Sequence, residues 1–290
     1  MFSLSRLGRT FCGLGIIAYG TQQVVIRDFR PQIVPGFPSW AHTYSVFPIV
    51  TGLAMIAVGV LVAGIIKVDT NLRKKLSLYM GFYFLALIPL SHIPYLLFVY
   101  PHKLSHLGSW GDLLKVLAFA GASFTVAGSF LVSLGEKDRE NRENRMVEAM
   151  IPVGRFCYCT TIILFGCNHF VYDISFMVPK WFGMPGFWSY FGGAALIAAG
   201  VAILFRLFTK PAALLLALML FLWFCLLHVP NAIANPSSGR GNSIVSAFDA
   251  LVFCGTALII SGTGNRHPAK IRDKIRSKDV KVRADVSMQN

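Results

Sequence analysis

Four stretches of this chain run without a charged residue for about the length of a bilayer crossing: Tyr44 to Ile66, Leu76 to Val99, Phe187 to Phe205 and Ala212 to Val229. The hydrocarbon core of a membrane takes about 20 helical residues to span. Each run is bounded by Pro, Gly or basic residues, which end or anchor a helix. Composition agrees. Over 290 residues the chain is 55% hydrophobic and 14% charged, and its mean hydropathy is +0.60. A soluble domain of this size could not cover its surface with so few polar groups.

The net charge of +14 could suggest a nucleic-acid partner. The charge sits in loops and tails, as membrane insertion requires, so no nucleic-acid role is expected. The first apolar segment, Phe11 to Val25, resembles a signal peptide but lacks a convincing small-residue cleavage site. It also has a counterpart in mid-chain, so it reads as a retained helix. The six cysteines all lie in apolar segments with no Cys-x-x-Cys spacing, and read as small apolar packers.

The chain repeats itself. Gly8-Arg9 returns as Gly154-Arg155 and Gly20 as Gly166, both at offset 146. Val34-Pro35 returns as Val178-Pro179. Gly52 and Gly59 pair with Gly193 and Gly200 at offset 141. His92-Ile93-Pro94 pairs with His228-Val229-Pro230 at offset 136, and Gly121 and Gly128 pair with Gly255 and Gly262 at offset 134. The offset only shrinks, and it changes between helices, as in a duplicated unit with shorter loops in its second copy.

The expected fold is therefore an all-α membrane protein of eight transmembrane helices in two four-helix bundles. The helices are expected at 8–26, 44–66, 76–99 and 112–134, then 153–172, 187–208, 211–229 and 244–264. The domains are a first unit at 1–134, a charged cytoplasmic linker at 135–150, a second unit at 151–264 and a basic cytoplasmic tail at 265–290. Four spans per unit make the repeat parallel, unlike the inverted repeats of many transporters. Basic residues gather on one side, at Arg6, Arg9, 67–75, 135–150, Arg206, Lys210 and the tail. The other side holds only Arg27, Arg30, Lys103, Lys180 and Arg240. That bias places both termini in the cytoplasm.

The Gly-Arg start, late helix glycine, Val-Pro loop with Pro and Trp, Gly-rich second helix and spaced glycines of the fourth resemble the DoxX-like integral membrane proteins, which are four-helix units. Arg9, Arg155, Gly20 and Gly166 occupy the matching places. The tandem fusion departs from the common pattern, and so does the absence of the lysine that often closes the first helix; Gln23 and His169 stand there. The resemblance implies a bacterial inner-membrane protein. It also implies an accessory role beside membrane oxidoreductases or other membrane and periplasmic partners.

Polar groups inside a membrane ask for a partner or a purpose. His92 and His228 are repeat-equivalent, each one residue short of an X-Pro step. They read either as helix terminators at the interface or as a bis-histidine haem or quinone site. His169 and Asp173 share a face if their helix continues, as a proton-transfer pair would. Lys115 and Asp249 are repeat-equivalent with opposite charge, and an ion pair across the units, or of Lys115 with Asp112, would neutralise them. Gln23 and Asn231 complete the candidate polar pocket. Arg9 and Arg155 are placed to anchor on lipid phosphate. No phosphate loop, catalytic triad or metal motif appears in the sequence.

Three functions fit. The first is a non-enzymatic accessory or scaffold subunit, expected to be poor in pockets. The second is a quinone- or haem-linked redox subunit, expected to gather its outer polar groups around one cavity open to lipid. The third is a small-solute or proton-coupled transporter, which needs a continuous polar path.

Overall fold

A computed structural model describes residues 3–131 and 141–263. Among them there is no strand. Eight long helices follow one another: α1 (Leu4–Ile26), α2 (Val46–Ala63), α3 (Thr70–Val99), α4 (Leu107–Leu131), α5 (Arg142–Val171), α6 (Pro185–Leu204), α7 (Thr209–Ala234) and α8 (Asn242–Thr263). Seven of them, α2 through α8, are long and apolar enough to cross a membrane, so the chain is a multi-pass membrane protein with lipid as its solvent.

α1 is long enough but more polar, and its packing explains why. It lies between α2 and α8, and it meets both through glycines. A Cβ built on Gly20 would stand 2.5 Å from the Gly52 carbonyl oxygen, and one on Gly59 would stand 2.7 Å from that of Gly13. Gly8 meets Gly255 on α8 just as closely. A helix covered by protein on two sides presents less surface to lipid, so it tolerates Gln22 and Gln23.

The same contacts recur elsewhere. α5 lies between α4 and α6. A Cβ on Gly121 would stand 2.7 Å from the Gly154 oxygen, and one on Gly166 would stand 2.8 Å from the Gly193 oxygen. α3 packs on α4, α7 packs on α8, and α4 touches α8 at the centre. Burial follows this order. In the most apolar 18 residues of α4 and of α8, 83% are buried, against 22% in the corresponding stretches of α3 and α7.

α3 and α7 each carry a π-helical stretch, at Ile88–His92 and Tyr95–Val99 in the first and at Phe224–His228 in the second. Pro89, Pro94 and Pro230 remove amide donors there, and the remaining bonds widen to the i→i−5 register.

Several expected boundaries move. α5 begins at Arg142, not 153, so residues 142–150 of the expected linker are helix. At 1.5 Å per residue its 30 residues reach about 45 Å, longer than the hydrocarbon core. The extra turns are held by charge: Glu143 bridges Lys74 at 3.3 Å and Lys75 at 3.0 Å, and Lys74 also donates to Asn144. α3 likewise starts earlier, at Thr70, and α7 runs on to Ala234. The rest of the linker, 135–140, and the tail, 265–290, lie outside the described residues.

At the opposite end the loops clasp in pairs. Asp28 of the α1–α2 loop accepts from the Phe29 amide at 2.8 Å, from His42 Nδ1 at 2.8 Å and from Arg240 of the α7–α8 loop at 3.2 Å. Arg30 donates to the Arg240 carbonyl at 2.7 Å, and Gln32 donates to Asn242 at 2.7 Å. His42 Nε2 faces the Pro35 carbonyl at 2.6 Å, so both ring nitrogens meet oxygen atoms. The α3–α4 and α5–α6 loops pair through the Leu107 amide, which donates to Tyr172 at 2.8 Å, and through stacked His106 and Tyr172 rings 4.3 Å apart.

Partial burial opposes ionisation of Asp28, but the His42 hydrogen bond and charge, the Phe29 amide and Arg240 outweigh it and hold the carboxyl below its usual range. The clasp is therefore complete above the ordinary carboxylate pKa of about 3.9 and is lost as pH falls through the lower folded value. The protection of amides in the 27–45 loop, their exchange rate relative to the intrinsic rate at the same pH, should fall over that window in the native chain. In Asp28→Asn protection should be lower at neutral pH and unchanged across the window, with a stability loss on the order of 1 kcal/mol or less.

Candidate functional site

Two polar features stand out, and they are neighbours. The first is a buried cluster where α1, α4 and α8 meet. Tyr19 donates to Asp249 Oδ1 at 2.5 Å. Lys115 Nζ stands 3.0 Å from Asp249 Oδ2, close enough for an ion pair but poorly aligned for a hydrogen bond. Asp112 and Arg30 lie within electrostatic reach of this pair. The side chains of Lys115 and Asp249 are 19% and 7% exposed, so the pair is drawn largely out of solvent. Asp112, Arg30, Lys115 and Asp249 sum to zero charge, which a low-dielectric interior requires. Lys115 sits on the fourth helix of the first half of the sequence, and Asp249 on the fourth helix of the second.

The second feature is a cavity of about 700 Å³ between α6 and α7. His169 at the end of α5 and His228 in the π-helical stretch of α7 line it, with Trp188, Ser189 and Phe191 of α6 and Trp223 of α7 around them. Farther along the helices, Ala195, Ala199 and Ala202 of α6 face Ala212, Leu216 and Met219 of α7. Part of the rim is open to the outside of the bundle: Leu215 is 67% exposed and Phe191 53%. A void of about 20 Å³ among α1, α2, α3 and α4, lined by Cys12, Tyr19 and Phe84, is by contrast room for one water at most. A bundle with a cavity of the larger size is not poor in pockets, which departs from the expectation attached to the accessory-subunit reading.

The other sequence candidates are dispersed. His92 is 2% exposed and its Nε2 meets the Ile33 carbonyl at 3.1 Å, away from the cavity. It therefore shares no pocket with His228. Gln23 is fully buried between α1 and α2, where it donates to Thr51 at 3.4 Å. Asn231 is exposed and accepts from Asn235 at 3.0 Å. The helical pairing of His169 with Asp173 fails: α5 ends at Val171, and Asp173 is exposed and accepts from the Ser175 amide at 3.0 Å. The Ser175 hydroxyl first, and its amide second, hold the Asp173 carboxyl below the usual range. His169 instead faces Ser189 Oγ at 3.3 Å, with its ring 6.0 Å from that of Trp223.

Arg9 turns onto protein. It donates to Ser129 at 3.1 Å and lies 4.6 Å from the centre of the Phe130 ring, which Arg73 approaches at 5.0 Å. Arg155 is partly buried on α5. The cysteines carry no disulfide; Cys12, Cys157, Cys159 and Cys254 are buried. Among the described residues no group of three or more His, Cys, Asp or Glu is placed to hold a metal ion.

Reading residues alone missed Tyr19, Arg30, Ser189 and Trp223. Tyr19 carried a signal: it lies one turn before Gln23 and two turns after Cys12, on one stripe of α1. Compared with known proteins, the chain matches no family model, no curated protein and no solved structure.

Proposed function

We propose that this chain is a non-enzymatic membrane subunit of eight spans, an accessory or scaffold for a membrane or periplasmic partner. The reading holds it to be two like-oriented four-helix units in a bacterial inner membrane, both termini cytoplasmic. The observation that carries it is the interlocking of the halves: the Gly8–Gly255 contact of α1 with α8 has its repeat counterpart in the Gly154–Gly121 contact of α5 with α4. The first helix of each unit thus packs on the fourth helix of the other, and the Lys115–Asp249 pair closes the seam. The polar groups most expensive to bury are spent on each other, as a rigid support requires and a reaction centre does not. The resemblance to DoxX-like proteins points the same way. Mild solubilisation from native membranes followed by cross-linking and mass spectrometry should find a stoichiometric membrane or periplasmic partner. Recovery of the chain alone would contradict the role.

A second reading, a subunit that engages a lipid-soluble quinone, is favoured by the α6–α7 cavity with His169 and His228 in its wall. The donor set fits a quinone, whose carbonyls take hydrogen bonds from imidazole. It does not fit a haem held by His92 and His228, because His92 is closed on Ile33.

A further inference from the structure

His228 lines the α6–α7 cavity, and its ring makes no hydrogen bond to any described residue. The charges of Asp249 and Lys115 reach it, but burying an imidazole without a hydrogen-bond partner is unfavourable. His92 shows the satisfied alternative, with its ring on the Ile33 carbonyl. A second ring, that of His169, uses one nitrogen toward Ser189 and presents its other edge among the cavity residues. The site is chemically complete only with a hydrogen-bonding guest.

The walls say what kind of guest. At the histidine end Trp223 and Trp188 offer flat faces suited to stacking a planar ring. No described lining residue is a lysine, arginine or carboxylate, so the head is neutral. Away from the histidines the lining turns to alanine and leucine, which suits an apolar tail. Leu215 and Phe191 on the rim are exposed on helices apolar enough to cross a membrane, which leaves a route of entry from the bilayer. At the offsets that relate the two halves of the sequence, Ala199, Ala202 and Ala212 stand where the first half has Val58, Leu61 and Leu76. Smaller side chains leave this space between α6 and α7.

We propose that the α6–α7 cavity binds one lipid-soluble molecule made of a neutral, carbonyl-bearing planar ring and an apolar tail. His228 and His169 donate to the carbonyls, and the tail lies along the alanine face of α6. This deepens the quinone reading and rests on it for ligand class alone; it concerns binding, with no electron transfer.

The test is titration of the purified chain in lipid nanodiscs with decylubiquinone, read by quenching of tryptophan fluorescence. Binding should saturate near one per chain, and Trp223→Phe should remove much of the signal. Ala199→Phe, which fills the slot, and His228→Leu should each weaken binding at least tenfold, about 1.4 kcal/mol. His228→Gln, which keeps a donor, should recover binding to within threefold of the native chain, and an unchanged size-exclusion profile of each variant shows that it is folded. Decylbenzene, with the same tail and no carbonyl, should compete at least tenfold more weakly. Unsaturable quenching, equal competition by decylbenzene, or unchanged binding in both Ala199→Phe and His228→Leu would overturn the proposal. None of these results touches the accessory role, which the cross-linking experiment reads separately.

Discussion

Lys115→Met should destabilise the protein by about 3–5 kcal/mol, the usual cost of stranding one member of a buried ion pair. Asp249 would be left with the Tyr19 hydroxyl and the charge of Arg30, and without its ion partner, in a largely buried stretch of α8. Asp112 would then repel it, since Lys115 no longer stands near both carboxylates. Adding Asp249→Asn should recover most of the loss. The asparagine still accepts from Tyr19, and no net charge remains to be desolvated. Melting of the detergent-solubilised variants, followed by fluorescence-detected size exclusion, measures both. Equal stability of Lys115→Met and the native chain would mean that the pair is solvated and the seam between the halves is looser than its 3.0 Å separation indicates.

Gly121→Val should cost about 3 kcal/mol, because a Cβ there meets the Gly154 oxygen at 2.7 Å and the backbone cannot yield without parting α4 from α5. Gly8→Val should cost a similar amount at the α1–α8 contact, since it opposes Gly255 in the same way. Gly111→Ala is the internal control: nothing lies within 4 Å of its Cβ position, so its effect should stay within about 0.5 kcal/mol. Near-equal losses at Gly121 and Gly8 fit two equivalent seams. A large loss at one and none at the other would speak against them.

The spans were legible because lipid imposes a length. Uncharged runs such as Leu76 to Val99 leave little choice of structure. The ends were not legible. The first turns of α3 and α5 carry Arg73, Lys74, Arg142 and Glu143, so they look like linker to any rule based on apolar length. They are helical because charges on the two turns pair with each other outside the hydrocarbon region. The choice of Asp249 over Asp112 as the ion partner of Lys115 depends on how α4 crosses α8, and helix spacing in one chain segment cannot report that. The cavity was invisible for a related reason. It is a deficit of side-chain volume shared between α6 and α7, and Ala199, Ala202 and Ala212 read as ordinary helix formers until the two helices are placed side by side. The His169–Asp173 expectation failed because the helix stops at Val171, two residues short of Asp173.

The most direct measurement is side-specific labelling of single cysteines in a background with Cys12, Cys157, Cys159, Cys167, Cys225 and Cys254 replaced. Cysteines at Asp69, Lys210 and Ser277 should react only from the cytoplasmic side, and those at His102 and Ser237 only from outside. Opposite accessibility of Asp69 and Lys210, or of Lys210 and Ser277, would contradict two like-oriented quartets of helices.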